Sequence, residues 1–129
     1  MTILLLDTSH EICHFFLHHN GKHYTLTNSA GRELSKKIFT MLEDFLGKHT
    51  LSYEDIEGIG VFRGPGSYTG LRIGLTVANS LADSLQIPIV GTHSTDWQKK
   101  AIERLKRGEN DQIVLPEYVS IPHITSPRK

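Results

Sequence analysis

The chain is short of the features that mark a specialised environment. One cysteine, Cys13, in 129 residues excludes a disulfide framework and a thiolate metal cluster, and fits a reducing compartment. Neither sign of charge is in excess: 14 Lys and Arg face 14 Asp and Glu. The broad positive field with which a stand-alone nucleic-acid binder neutralises phosphates is therefore absent, and any RNA would have to be held by a partner. Long apolar runs are missing too. The opening MTILLLDTS has no basic n-region and reaches Asp7 after four consecutive apolar residues, too few for a signal peptide or a membrane span, so a cytoplasmic protein is expected.

What is present alternates strand and helix patterns. TILLLDT is an apolar run of strand length closed by polar turn residues, and ICHFFLHH and KHYTLT flank Asn20-Gly21, the strongest short-range hairpin signal. From Arg32 the period lengthens: Leu34, Ile38, Met41, Leu42, Phe45 and Leu46 fall on one helical face, and Gly47 is the expected stop. A capped turn at 52–56, the strand IEGIGVF, a helix over 69–85, a short strand at 87–90 and a charged helix from a Ser or Thr cap near Ser94 to Lys106 complete the order βββαβαβα. One α/β lobe over residues 1–107 with a mixed five-stranded sheet is predicted. Residues 108–129 read as an extended tail, because Pro116, Pro122 and Pro127 forbid helix. Its apolar residues, Ile113, Val114, Leu115, Tyr118, Val119 and Ile121, suggest docking on the lobe or on a partner.

The most informative stretch is GPGSYTGLRIG, residues 64–74, where a buried strand gives way to a helix. Gly64, Pro65, Gly66, Ser67, Thr69 and Gly70 predict a rigid elbow, with Ser67 or Thr69 as N-cap. Such an elbow aims backbone N–H groups at one point, which suggests an anion. Yet the third glycine of a dinucleotide fingerprint comes one position late, and the Lys of a phosphate loop is absent. Arg63 and Arg72 flank the loop and could meet a phosphate or simply be solvated. Downstream, Gly70, Gly74, Ala78 and Ala82 recur every fourth residue as a stripe of small side chains. It would let the helix lie tightly on its own sheet, or receive a helix from another chain; Arg72, Asn79 and Asp83 exclude a membrane dimer.

Eight histidines raise the question of a metal, but His14 and His18 lie on a predicted strand, where positions four apart are roughly 13 Å from each other, too far to share one ion. His10, His19 and His23 are expected at the surface. Cys13 on an apolar strand reads as a small buried hydrophobe and not as a nucleophile.

Taken together, ILLLDTS at the start, FRGPGSYTGLRIGLTVANSLA in the middle and IPIVGTHS at 87–94 resemble the TsaB (YeaZ) family of the actin-like (ASKHA, ribonuclease H-like) superfamily, from residue 1 to about residue 97. LPEYVSIPHITSPRK is similar to the way many members end. The resemblance implies a non-catalytic subunit in making threonylcarbamoyladenosine at position 37 of tRNA, without a cofactor. It would pair with a TsaD-like catalytic subunit, or with a second copy of itself, through the first two helices, recruit a TsaE-like ATPase, and touch tRNA only indirectly. Leu34, Ile38, Met41, Leu71, Arg72, Gly74, Leu75 and Ala78 are the residues expected at that seam. The chain departs from the family in two ways: the second lobe of longer members is not recognisable, and Glu33-Leu34 stands where a His-Ser pair usually opens the first helix. The alternative is a nucleotide- or phosphate-binding enzyme using the Gly64–Gly70 elbow and Asp7, the residue that sits by phosphate and metal in kinase members.

Overall fold

The computed structural model describes residues 1–117. Its elements are β1 (Thr2–Asp7), β2 (Ile12–His19), β3 (Lys22–Ser29), α1 (Leu34–Lys48), β4 (Gly58–Phe62), α2 (Tyr68–Leu85), β5 (Ile89–Thr92) and α3 (Trp97–Lys106), the order expected from the sequence. The sheet runs β3-β2-β1-β4-β5. β1, β2 and β3 pair antiparallel, whereas β4 joins β1 and β5 joins β4 in parallel.

The apolar run of β1 follows from its central place. Leu4 and Leu6 face a core with α1 and α2, and Ile3 and Leu5 face a second core with Trp97, Ala101 and Leu105 of α3, so neither face has room for a polar side chain. β2 is fully covered on one side only. Cys13, Phe15 and Leu17 are buried in the first core, while His14, Phe16 and His18 on the other face are half-buried.

All three long helices end with the same backbone device. Thr50, Gln86 and Gly108 take left-handed conformations (φ 60°, 56° and 82°). The N–H of each donates three residues back, and the next N–H donates five back: Leu51 to Leu46, Ile87 to Ala82, Glu109 to Arg104. These are Schellman caps, and only α3 uses the residue best suited to one, Gly108.

The caps explain where the observed boundaries differ from the predicted ones. Gly47 does not stop α1. The helix runs on until Leu51 can both cap it and pack against the core. A 3₁₀ turn at Gly31–Glu33 delays its start to Leu34. β5 begins at Ile89 and not Ile87, because the Ile87 N–H caps α2 and Pro88 has none to give. α3 begins at Trp97. The Ser94 hydroxyl donates to Asp96 Oδ1 at 2.6 Å, and no side chain caps the helix.

Residues 110–117 lie along the lobe as a strap. At the open edge of β5, the N–H groups of Ile89 and Gly91 donate to Asn110 Oδ1 (3.1 Å) and Asp111 Oδ2 (2.9 Å), and Asp111 N–H donates to the Ile89 carbonyl at 2.7 Å. Asn79 exchanges two 2.9 Å bonds with the backbone of Val114, whose side chain is buried. The Arg104 guanidinium donates to Asp111, Glu109 and the Gly91 carbonyl. The docking expected of the tail is therefore met at Val114; Tyr118, Val119 and Ile121 lie outside the described residues.

Candidate functional site

The elbow forms between β4 and α2, with a cis Gly64–Pro65 bond. Ser67 is the N-cap, its hydroxyl accepting from Gly70 N–H at 3.3 Å. Gly64 has φ 117°, a conformation open to glycine at little cost. The elbow is fastened to the loop after β1. Ser67 N–H donates to the Ser9 carbonyl at 2.7 Å, and the Thr8 hydroxyl donates to the Gly70 carbonyl at 2.7 Å.

That fastening decides where the small-residue stripe points. A Cβ on Gly74 would overlap the Thr8 hydroxyl, and one on Gly70 would overlap the Thr8 carbonyl, while Ala78 and Ala82 are buried beneath the same helix. The stripe is filled by the chain's own β1 loop and sheet. The predicted seam is corrected accordingly. Leu34, Ile38, Met41, Leu71, Gly74, Leu75 and Ala78 are all buried inside the lobe. Small side chains admit a close neighbour, and the nearest one is Thr8 of the same chain. Of the eight expected residues Arg72 alone is exposed, its guanidinium carbon 5.1 Å from the Tyr68 ring centroid.

What α1 and α2 leave open is a cleft of about 320 Å³ lined by Ser35, Thr69, Arg72, Ile73, Thr76 and Val77. Phe39 is 43% exposed and lies one turn beyond Ser35 on α1. Sequence reasoning missed these residues because it followed the most apolar helix faces, which are core.

A second cleft, about 400 Å³, lies between the β1–β2 loop, the 3₁₀ turn and the elbow, with His10, Glu11, Cys13, Arg32, Ser67 and Thr69 in its walls. Of its polar side chains His10 and Ser67 are engaged, and Asp7 and Ser9 are bonded beside it. Asp7 Oδ1 accepts from Ser9 N–H (2.9 Å) and Ser9 Oγ (2.6 Å), and Ser9 Oγ meets His10 Nδ1 at 2.9 Å. The serine proton is directed at the carboxylate and not at the imidazole, the reverse of an activated serine. Burial, and then the nearby Asp7, push the Cys13 thiol above its ordinary range, away from the thiolate that a nucleophile requires. The elbow amides of Ser67, Gly70 and Leu71 are spent within the fold. Arg63 turns to the strap, its Nε donating to the Leu115 carbonyl at 3.2 Å. The side chains named for a phosphate thus do not converge on one point.

The histidines separate by face. His19 Nδ1 bonds the Thr2 hydroxyl at 2.7 Å, His49 stacks on Tyr24, and His18 and His23 meet Nδ1 to Nδ1 at 3.0 Å. Burial, His23, Lys106 and the N-terminal ammonium together lower the pKa of His18. Among the described residues no three metal-binding side chains converge, and no helix is long and apolar enough to cross a membrane.

Comparison with known proteins places this architecture. The family model described as TsaD: tRNA N6-adenosine threonylcarbamoyltransferase matches residues 25–115. The tRNA threonylcarbamoyladenosine biosynthesis protein TsaB of Haemophilus influenzae is 31% identical over 110 residues, 85% of this chain and 47% of that protein. The chain belongs to the TsaB (YeaZ) family. The Escherichia coli TsaB is 32% identical over 111 residues, 81% of this chain and 48% of its own length. The structure of YeaZ from Pseudomonas aeruginosa superposes with a TM-score of 0.69 at 29% identity, over 83% of this chain and 50% of that one. The chain spans about half the length of these TsaB relatives, and the fold it shares with YeaZ is the actin-like, ribonuclease H-like α/β lobe expected from the resemblance.

Proposed function

We propose that the chain serves the biosynthesis of threonylcarbamoyladenosine on tRNA as a non-catalytic subunit that docks on a TsaD-like catalytic partner, and that a TsaE-like ATPase joins this pair. The observation that carries the reading is the open cleft between α1 and α2. Its lining combines apolar Ile73 and Val77 with polar Ser35, Thr69, Thr76 and Arg72, a mixture that suits a protein partner. A non-catalytic role is supported by the bonding state of Asp7, Ser9 and Cys13, none of which stands ready as base or nucleophile. A second copy of the chain is the other occupant that this cleft would accept.

Thr76→Arg tests the reading, because Thr76 is exposed and its replacement leaves the core intact. A tagged native chain should capture a TsaD-like subunit, and the variant, folded by circular dichroism, should lose about tenfold or more in affinity. Capture unchanged by Thr76→Arg would remove the cleft as the docking site. Gly74→Arg would be uninformative here, since Thr8 already occupies the space beside Gly74.

A further inference from the structure

α3 covers only part of its side of the sheet. Its core contacts are Ile3, Leu5 and Val90, and on β2 Trp97 meets the edge of Phe16, ring centroids 5.9 Å apart. Beyond that point no described element lies over the face formed by β2 and β3, whose residues are half-buried or exposed. His14, Phe16 and His18 stand in a row on β2, each directly opposite Thr27, Thr25 and His23 of β3, and all six are half-buried or exposed.

Two properties of this face stand out from a surface that is neutral overall. The first is its flat rings: His14 stacks parallel to Phe16 (6.2 Å, 12°) and His18 lies against His23 (4.4 Å). The second is charge. The hairpin from Ile12 to Ser29 contains no Asp or Glu, but four histidines and Lys22, and α3 presents exposed Lys99 and Lys106 on the same side of the sheet, with the acid Glu103 among them and Arg107 paired to Glu109. Imidazoles donate N–H bonds to anions. Planar rings on a sheet beside cations are the elements with which proteins hold unpaired nucleotides.

We propose that the β2–β3 face binds single-stranded RNA, stacking bases on Phe16 and the imidazoles while Lys106 and the histidines meet phosphates. This inference rests on the pathway reading above, in which the RNA is an unpaired segment of the tRNA whose main hold is on the catalytic partner. With zero net charge the chain contributes a supplementary grip that places the RNA and does not capture it unaided.

The test uses the full chain with two fluorescent probes, a twelve-nucleotide single-stranded RNA and an unmodified tRNA transcript, read by anisotropy at 50 mM salt. Saturable binding with Kd below about 100 μM is expected, near the weak end of non-specific nucleic-acid affinities. His14→Glu combined with His23→Glu should weaken it about tenfold or more. Thr25→Lys should strengthen it and steepen the salt dependence by about 0.7 in the log–log slope, one added single-strand phosphate contact. Absence of saturable binding, or affinity unmoved by either variant, overturns the proposal. Capture of the TsaD-like subunit by the same variants separates the two readings. If the double variant loses capture but keeps RNA affinity, the face belongs to a protein and the RNA proposal fails. If it keeps capture and loses RNA affinity, the proposal stands. Should the native chain bind RNA but fail to capture the subunit, the scaffold reading fails while the RNA face is retained.

Discussion

Replacing Gly74 by alanine would add one methyl group at one of the tightest points in the lobe. The new Cβ would overlap the Thr8 hydroxyl, with Thr8 Cγ2 at 2.9 Å and Thr8 Cβ at 3.0 Å. Thr8 is 3% exposed and held by its bond to the Gly70 carbonyl, so it cannot step aside cheaply. Overpacking of this kind costs about 1–3 kcal/mol, and a strained or broken Thr8–Gly70 bond adds about 0.5–1.5 kcal/mol. Against this, alanine is better than glycine inside a helix by about 1 kcal/mol. The net expectation is destabilisation of about 2 kcal/mol. Thr8→Ala removes the obstacle, so the double variant should be more stable than the sum of the two single effects by about 1 kcal/mol or more. Urea unfolding followed by the fluorescence of Trp97, the sole tryptophan and buried against α3's core, measures all four corners of the cycle. A neutral Gly74→Ala, or strict additivity, would mean that α2 does not rest on Thr8, and the stripe would again be free to receive a foreign helix.

Three further outcomes follow from the caps, the strap and its charges. Thr50→Gly and Gln86→Gly each relieve a side chain held at positive φ and should raise the unfolding free energy by about 0.5–1 kcal/mol in urea titrations, whereas Gly108→Ala should lower it by a similar amount. Asn79→Ala deletes both bonds to Val114; limited proteolysis should then cut near Ile113 and Leu115, with the core fragment intact by mass spectrometry. Glu109 and Asp111 both have lowered pKa values, Glu109 through hydrogen bonds from Arg104 and Arg107, and Asp111 because bonds from Arg104 and Gly91 outweigh the opposing effect of its burial. The unfolded chain therefore binds more protons in the acid range, so this stabilisation is complete above the ordinary carboxylate values near 4 and is lost as pH falls through the lowered ones. Arg104→Met should flatten stability against pH between about pH 5 and pH 2.

The order of elements was readable because each signal was local: the closed apolar run of β1, Asn20-Gly21 at the hairpin, and the helical spacing from Leu34 to Leu46. Element ends were less so, since they depend on which residue reaches the core. Gly47 had the right chemistry for a stop but the wrong position, and Thr50 had the position despite its β-branched side chain. The seam was misplaced for a related reason. A face rich in leucine and glycine says that something packs closely, and periodicity carries no information on whether that neighbour is Thr8 or another protein. The apolar residues of the tail announced that it docks but not where, for Asn79, Arg104 and Asp111 are ordinary surface residue types until the fold brings them together.

At β5 the sheet is finished by the side-chain oxygens of Asn110 and Asp111 where another strand would otherwise lie. A seal made this way blocks growth in that direction. A visiting strand would first have to prise Asp111 from the Arg104 guanidinium and pull Val114 out of the hydrophobic interior, so this lobe gains neighbours without lengthening its ladder at β5, and strand exchange there is disfavoured from the outset.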